Sequence, residues 1–128
     1  MIHDFDMDSS FLITGWVDKP TAYMKVMDVV CLLSRWEGFG LVLPEYMACV
    51  VPVIATNVDA IPNIVHNQKN GLLVNSDDSD SVADDVILLY NNESLRRKII
   101  MNAYKDVKKN YDIRRVAVDT INLYKKIM

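Results

Sequence analysis

Short apolar runs separated by helix-like segments constrain the fold of this chain more than any other feature. Three of them are Val29–Ser34, Pro52–Thr56 and Leu72–Val74. Their apolar residues do not alternate with polar ones, as expected for strands that are covered on both faces. Strands that alternate with helices predict a doubly wound, Rossmann-like parallel α/β sheet flanked by helices.

A fourth strand is predicted at Phe11–Val17, which the breaker Asp18-Lys19-Pro20 ends, so the sheet should have about four strands. We expect a turn at Asn70-Gly71 before the last strand. Short helices are predicted between the strands, through Tyr23, Val26 and Met27, from Val42 to Cys49, and from Ile61 to Val65.

Three helices are predicted at the C-terminus. Asp78 should be the N-cap of the first, with Asp80 in its first turn where the helix dipole favours an anion. Each helix should place its apolar residues on one face. These are Val82, Val86, Leu89 and Tyr90 for the first, Leu95, Ile99, Ala103 and Val107 for the second, and Ile113, Val116, Ala117, Thr120, Ile121 and Tyr124 for the third.

Length and charge exclude several classes of protein. With 128 residues the chain is one domain at most, and a formal net charge of −3 gives no basic footprint for nucleic acid. Cations do gather late in the chain, where they indicate either a solvated helix face or a surface that rests on anionic lipid headgroups. They are Arg96, Arg97, Lys98, Lys105, Lys108 and Lys109.

Cellular location is predicted from the cysteines and the apolar runs. Cys31 and Cys49 lie in apolar runs without metal-like spacing, so we expect buried, reduced thiols rather than a disulfide. No apolar run approaches the roughly 20 residues of a membrane span, and the acidic start does not resemble a secretory leader. We therefore expect a cytoplasmic protein, with a peripheral position at the inner face of the cell membrane as a second option.

The segment from Ser34 to Gly40 follows a predicted strand, where open α/β sheets bind their ligands. Two glycines flank Phe39 there, and glycine lets backbone N–H groups approach a ligand closely. Pro44 belongs in the first turn of the next helix, which leaves the N–H groups of Gly40, Leu41 and Val42 free for a phosphate.

Two carboxylates accompany this loop. Glu37 lies on it and Glu45 lies eight residues later in the first turns of the helix, so both should face one pocket. Carboxylates suit neighbouring sugar hydroxyls because they accept hydrogen bonds and do not donate them. From the spacing alone, a plain tight turn at Gly38–Gly40 and a surface role for Glu45 fit equally well.

A family resemblance decides between these interpretations. The pattern Ser34-x-x-Glu37-Gly38-Phe39-Gly40-Leu41-Val42-x-x-Glu45-x-Met47-Ala48-Cys49-x-x-Pro52-Val53-Ile54-Ala55-Thr56 resembles the signature block of the group 1 (family 4) glycosyltransferases. The resemblance extends through Ile61-Pro62, Asn70–Val74 and Asp78, and covers about Phe11 to Tyr111. It implies a GT-B fold, two Rossmann-like domains of which the C-terminal one holds a nucleotide-sugar, and residues 1–128 would be a partial domain of that kind.

The resemblance also implies roles for residues. Glu37 would be the catalytic-site residue that contacts hydroxyls of the donor sugar, and Glu45 would hold the ribose. The backbone of Gly38, Phe39, Gly40, Leu41 and Val42 would meet the sugar and diphosphate, and Gly15, Trp16 and Val17 would lie beside the base. The implied reaction transfers a sugar from a UDP-, GDP- or ADP-sugar with retention of configuration. It requires no cofactor and no metal, because the leaving diphosphate is stabilised electrostatically.

Several positions depart from the family pattern. The glycine that usually follows the cysteine as a helix cap is Val50, so we expect that helix end to be built differently, at a cost on the order of 1 kcal/mol. The family's Gly-Gly after the third strand is Asp59-Ala60, and its Pro-Glu is Pro62-Asn63. The exact shape of the donor pocket should differ accordingly.

Two parts of the family architecture have no counterpart in this sequence. The first is a pair of strands that bring an Arg and a Lys to the donor phosphates, and the second is the N-terminal acceptor-binding domain. With the strand order 3-2-1-4-5-6, the four predicted strands match 3, 4, 5 and 6. Phe11–Val17 would then lack a neighbour and the edge of Val29–Ser34 would be bare. We therefore expect a fragment of a longer enzyme, or a chain that rearranges or self-associates through that edge.

The leading hypothesis is thus the donor-binding part of a glycosyltransferase for cell-surface polysaccharide, capsule or lipopolysaccharide. One alternative is a non-catalytic nucleotide-sugar-binding or regulatory module. Another is a truncated interaction domain that uses the bare sheet edge or the last amphipathic helix. The sequence leaves the base, the sugar and the acceptor open.

Overall fold

The computed structural model describes residues 2–127 and shows helices alternating with parallel strands along the chain. Short 3-10 turns lie at His3–Phe5, Asp8–Ser10 and Ile61–Asn63. The remaining elements are α1 (Pro20–Met24), β1 (Val30–Leu32), α2 (Val42–Ala48), β2 (Val53–Thr56), β3 (Leu72–Val74), α3 (Ser79–Asn91), α4 (Glu93–Asn110) and α5 (Ile113–Ile127).

The sheet is parallel throughout and has the order β1-β2-β3. Cys31 pairs with Ile54 of the central strand, and Ile54 pairs in turn with Leu72. All four residues of β2 are buried, as the apolar run without alternation predicts. The predicted α/β class and the three C-terminal helices are confirmed.

Two apolar clusters hold the helices on the two faces of the sheet. Val53 and Ala55 of β2 point into one cluster, and Ile54 points into the other, following the alternation of side chains along a strand. The first cluster also contains Val30, Leu43, Met47, Val51, Ile61, Ile64, Val65 and Ala103. The second also contains Leu72, Val74, Leu89 and Ile99.

The predicted strand at Phe11–Val17 is wrong. These residues form no ladder with any described strand, and Leu12 and Ile13 are almost fully exposed. A strand needs a neighbour to accept and donate its backbone hydrogen bonds, and β-type composition cannot supply one. The described sheet therefore has three strands rather than about four.

The prediction of two buried thiols is also wrong in part. Both cysteines are free, but Cys31 on β1 is exposed and Cys49 is only half-buried. β1 is an edge strand of the described sheet, with β2 on one side only, so the backbone groups on its other side are unpaired there. The bare edge expected at this strand is thus present.

The C-terminal helices begin as predicted. The Asp78 carboxylate accepts hydrogen bonds from the backbone N–H of Ser81 at 3.0 Å and from its hydroxyl at 2.8 Å, and these bonds lower the pKa of Asp78. In the same way, the side chain of Asn92 caps α4 by accepting from the N–H of Leu95.

The faces predicted for these helices are confirmed for α3 and α4, except that Tyr90 is exposed. The apolar stripe predicted for α5 is not covered by any described residue, since α5 has no buried residue. Of the helices within residues 2–127, none combines the length and the apolar character that a membrane crossing needs.

The end of α2 corrects the expectation for Val50. Val50 adopts the left-handed conformation, with φ of +63°, so the cap is built as a glycine would build it. Its N–H donates to the carbonyl of Met47, and the N–H of Val51 donates to that of Tyr46. A β-branched residue therefore occupies a conformation that its Cβ disfavours.

Replacing Val50 with glycine should raise the free energy of unfolding by about 1 kcal/mol, because it relieves the left-handed strain at a half-exposed side chain. Urea unfolding followed by circular dichroism measures this. Val50→Ala is the matched control: it trims the side chain but keeps the Cβ, so it should recover less. An unchanged or lower midpoint for Val50→Gly would contradict the strain.

Asn70 is a buried polar residue that holds the turn before β3. Its side-chain oxygen accepts from the N–H of His66 at 2.6 Å. Its amide nitrogen donates to the carbonyl of Ile64 at 3.0 Å and to the Asp106 carboxylate of α4 at 2.9 Å. The predicted Asn70-Gly71 turn is thus confirmed, and it is anchored to a helix far along the chain.

Asn70→Ala should lower the free energy of unfolding by about 2 kcal/mol, because buried partners lose their hydrogen bonds. Chemical denaturation gives the value. Asn91→Ala, at an exposed position at the end of α3, should change stability by no more than about 0.5 kcal/mol. Equal effects of the two changes would show that Asn70 does not anchor the turn.

Candidate active site

The carboxyl ends of the three described strands lie at one edge of the parallel sheet. The connection after β1 is the loop Ser34–Gly40, and the residues that follow β2 and β3 reach the same edge. Their side chains hold this loop in place through hydrogen bonds and an ion pair. The loop chosen from the sequence therefore lies at the edge where α/β sheets bind ligands.

Two residues from the end of β2 pin the loop. The hydroxyl of Thr56 donates to the carbonyl oxygen of Ser34 at 2.6 Å. The carboxylate of Asp59 accepts from the backbone N–H of Glu37 at 2.9 Å. Asp59 adopts the left-handed conformation, with φ of +45°. The segment Ser34–Glu37 is thus held at both ends by the end of β2 and the residues that follow it.

The side chain of Glu37 is half-buried and is oriented from within the loop. The hydroxyl of Ser34 donates to its carboxylate at 3.3 Å. Arg35, between them, points outward and pairs with the exposed Asp77 carboxylate that follows β3, at 3.0 Å. Glu37 is thereby fixed in direction while its remaining acceptor positions stay available.

A side chain at Gly40 would be strained and tightly packed. It has φ of +76°, and an added Cβ would come within 3.1 Å of Leu43 Cδ1 and 3.4 Å of Glu37 Cγ. α2 starts two residues later at Val42, so the expectation of a helix start just before Pro44 is confirmed. Gly40 therefore lets Glu37 fold back over the start of α2.

The start of α2 supplies free backbone donors. Leu43 N–H donates to the Gly40 carbonyl at 2.9 Å, whereas no described residue accepts from the N–H groups of Gly40, Leu41 or Val42. Glu45 lies in the first turn of α2 and is exposed. Donors suited to an anion and a carboxylate suited to hydroxyls thus lie close together in the chain, at the start of α2.

Phe39 connects the loop to the end of α4. Its ring meets that of Tyr111 edge-on, with centroids 6.1 Å apart and planes at 69°. Burial raises the pKa of the Tyr111 hydroxyl, and the nearby Asp106 carboxylate raises it further. The contact ties the loop to the junction between α4 and α5.

The nucleobase prediction for Gly15, Trp16 and Val17 concerns the exposed N-terminal segment. Gly15 has φ of +62° and Trp16 is 93% exposed. No hydrogen bond or ring contact joins these residues to the Ser34–Gly40 loop within the described chain. Their role as base contacts stays a prediction.

A hollow on the surface borders the loop, and a larger one lies elsewhere. The hollow that borders the loop opens at the carboxyl edge of the sheet and is lined by Leu33, Thr56, Asn75, Asp77, Asp78, Ser79 and Val82. The larger hollow lies beside α3 and the start of β1, away from the loop, and is lined by Asp28, Val29, Val86, Leu89, Tyr90 and Arg96. It adjoins the bare side of the sheet rather than the predicted site.

Comparison with known families agrees with this geometry. The family model described as "Glycosyl transferases group 1" matches residues 2–106. The chain belongs to this family. The predicted family and the GT-B-like fold of the domain are therefore confirmed.

Relatives with curated names match the chain along most of its length. N-acetyl-alpha-D-glucosaminyl L-malate synthase of Bacillus anthracis is 30% identical over 100% of the chain and 34% of its own length. UDP-Gal:alpha-D-GlcNAc-diphosphoundecaprenol alpha-1,3-galactosyltransferase of Escherichia coli is 29% identical over 92% of the chain and 32% of its own length. The chain thus spans about a third of the length of these relatives.

The fold has solved counterparts. Alr3699/HepE of Anabaena, in complex with UDP-glucose, superimposes with a TM-score of 0.92 at 21% identity, over 98% of this chain and 35% of HepE. At that level of identity the similarity establishes the shared fold. Together with the family match, it makes the described sheet and helices a Rossmann-like unit of the GT-B type.

Sequence reasoning missed the residues that position the loop. The sequence indicated Thr56 only as the end of a strand. It indicated Asp59 only as a departure from the family pattern. Tyr111 marked only the limit of the resemblance. A polar residue at or just after the end of a buried strand was the available signal, because the carboxyl ends of parallel strands share one edge.

Gly40→Ala should lower the free energy of unfolding by about 1 to 2 kcal/mol and displace the Glu37 side chain, because the new Cβ meets Leu43 at a positive φ. Thermal unfolding and the amide chemical shifts of the loop report the two effects. Gly38→Ala is the control, since no atom lies within 4 Å of its added Cβ. Similar losses in both variants would contradict this account of Gly40.

Proposed function

We propose that this chain is the donor-binding part of a retaining glycosyltransferase that uses a nucleotide-diphosphate sugar. The observation that carries the proposal is the pinned loop at the carboxyl edge of the sheet, with Glu37 on the loop and Glu45 in the first turn of α2. Family membership supports it. So does the shared fold with HepE, which is described in complex with UDP-glucose.

The chemistry of the loop suits such a donor. Glu37 would accept hydrogen bonds from hydroxyls of the sugar, and Glu45 would accept those of the ribose. The N–H groups of Gly40, Leu41 and Val42 would meet the diphosphate and stabilise the charge that develops as it leaves. In this proposal the transfer proceeds with retention and requires no metal ion.

The charges at the carboxyl edge of the sheet do not by themselves neutralise a bound diphosphate. Asp59, Asp77 and Asp78 surround the loop with negative charge, and Arg35 is paired with Asp77. A diphosphate next to these carboxylates requires further cations. We infer that they come from parts of the complete enzyme that the chain does not include, as the family resemblance implies.

The acceptor-binding domain is the partner that we propose for α5. No residue of this 15-residue helix is buried, although Val116, Ile121 and Tyr124 belong to its predicted apolar face. An apolar face of this length stabilises a protein only when it is covered. In the complete enzyme the acceptor-binding domain would cover it.

The biological role that we propose is synthesis of cell-surface polysaccharide or lipopolysaccharide, at the inner face of the membrane. The name of the Escherichia coli relative, which places its acceptor sugar on diphosphoundecaprenol, supports a lipid-linked acceptor. Calorimetric titration with UDP, GDP and ADP and with their glucose conjugates would identify the donor class.

Glu45→Ala should weaken nucleotide binding by about tenfold or more, and Glu37→Gln should weaken binding of the nucleotide-sugar more than that of the free nucleotide. Calorimetry measures both. The sequence contains three glutamates, and the third, Glu93, is exposed on α4 and pairs with Arg97, so Glu93→Ala is a matched control that should bind like the parent.

Two results would contradict the proposal. Absence of binding for every nucleotide and nucleotide-sugar would leave shared ancestry without the donor site. A complex with another protein that is unaffected by Glu37→Gln and Glu45→Ala would favour an interaction domain instead.

A further inference from the structure

Asp59 is a residue beside the candidate site with an unusual backbone conformation. It carries a carboxylate and adopts the left-handed conformation, with φ of +45°. Residues other than glycine rarely adopt this conformation, although Asp tolerates it better than most. Strain of this kind persists where a surrounding interaction holds the residue in place.

That interaction is with the backbone of the glutamate loop. The Asp59 carboxylate accepts a hydrogen bond from the N–H of Glu37 at 2.9 Å. Asp59 lies 22 positions after Glu37 in the chain. Hydrogen bonds to an ionised acceptor are shorter and stronger than those between neutral groups. The peptide unit that carries the candidate sugar-binding residue is thus oriented from outside its own loop.

The effect of this bond reaches the side chain of Glu37. Thr56, at the end of β2, holds Ser34 at the start of the same turn, and Ser34 in turn donates to the Glu37 carboxylate. Asp59 holds the Glu37 amide. Both the backbone and the carboxylate of Glu37 are therefore connected by hydrogen bonds to β2 or to the residues that follow it. A residue fixed at two points keeps its direction before any ligand arrives.

We propose that Asp59 is a positioning residue, which sets the Glu37 loop in its binding geometry by accepting the Glu37 N–H. The role in donor binding rests on the function proposed above, whereas the positioning of the loop does not. Asp59 is exposed and contacts the backbone of the loop, so its removal should loosen the loop and weaken donor binding without unfolding the domain.

Amide hydrogen exchange resolved at Glu37 tests the positioning directly in this protein. Asp59→Ala should accelerate exchange of that amide by about tenfold, the order expected for loss of a hydrogen bond to a charged acceptor. Asp59→Asn, which keeps an acceptor oxygen without the charge, should restore most of the protection. Exchange at Glu37 that is as slow in Asp59→Ala as in the parent would overturn the proposal.

Asp77→Ala is the matched control. Asp77 is also an exposed aspartate at positive φ, 61° against 45° for Asp59, and it also contacts the loop, but through the Arg35 side chain. Its replacement removes the same charge and imposes the same backbone strain. If it accelerates Glu37 exchange as much as Asp59→Ala does, general charge or strain is responsible and the proposal fails.

Binding of UDP and UDP-glucose by calorimetry separates the two proposals. The expected result is weaker binding in Asp59→Ala, with recovery in Asp59→Asn. Full binding by Asp59→Ala despite a loosened loop would overturn the link between positioning and donor binding. If the parent protein binds no nucleotide, the proposed function fails, and the exchange experiment alone decides the positioning role.

Discussion

The burial of β2 on both faces is the constraint on which the rest of the structure depends. Its side chains alternate between two apolar clusters, and helices cover both. Because its neighbours run parallel to it, every described strand ends at the same edge of the sheet. The loops that follow the strands therefore meet there, and Thr56 and Asp59 extend the rigidity of the core into the loop of Glu37.

Those parts of the fold that are determined by local pattern were predictable from the sequence. The apolar runs at β1, β2 and β3, the Asp78 cap and the buried faces of α3 and α4 follow from periodicity and capping chemistry. The structure of Phe11–Val17 was not predictable in this way, because a strand depends on a neighbour that its own sequence does not encode. Val50 was mispredicted for a different reason: the hydrogen bonds that end α2 go with a left-handed residue at this position, against the local backbone preference of valine.

In the candidate site, too, some features were predictable from the sequence and others depend on the fold. The motif predicted the loop, its two glycines and its two glutamates, and the structure places them at the carboxyl edge as expected. It could not predict which residues hold the loop, since Asp59 and Tyr111 come from separate stretches of chain that only the fold brings near. A polar residue just after a buried strand marks Asp59 as a candidate, but the sequence does not show which backbone group it binds.

The exposure of both tryptophans has a consequence for spectroscopy. Trp36, beside Glu37, is 78% exposed, and Trp16, in the segment predicted to lie beside the base, is 93% exposed. Water already surrounds both indoles in the folded chain, so unfolding changes their surroundings little and intrinsic fluorescence reports poorly on stability. A ligand or a neighbouring domain that covers either ring removes that water, so the emission of this protein reports what occupies the site rather than whether the core is intact.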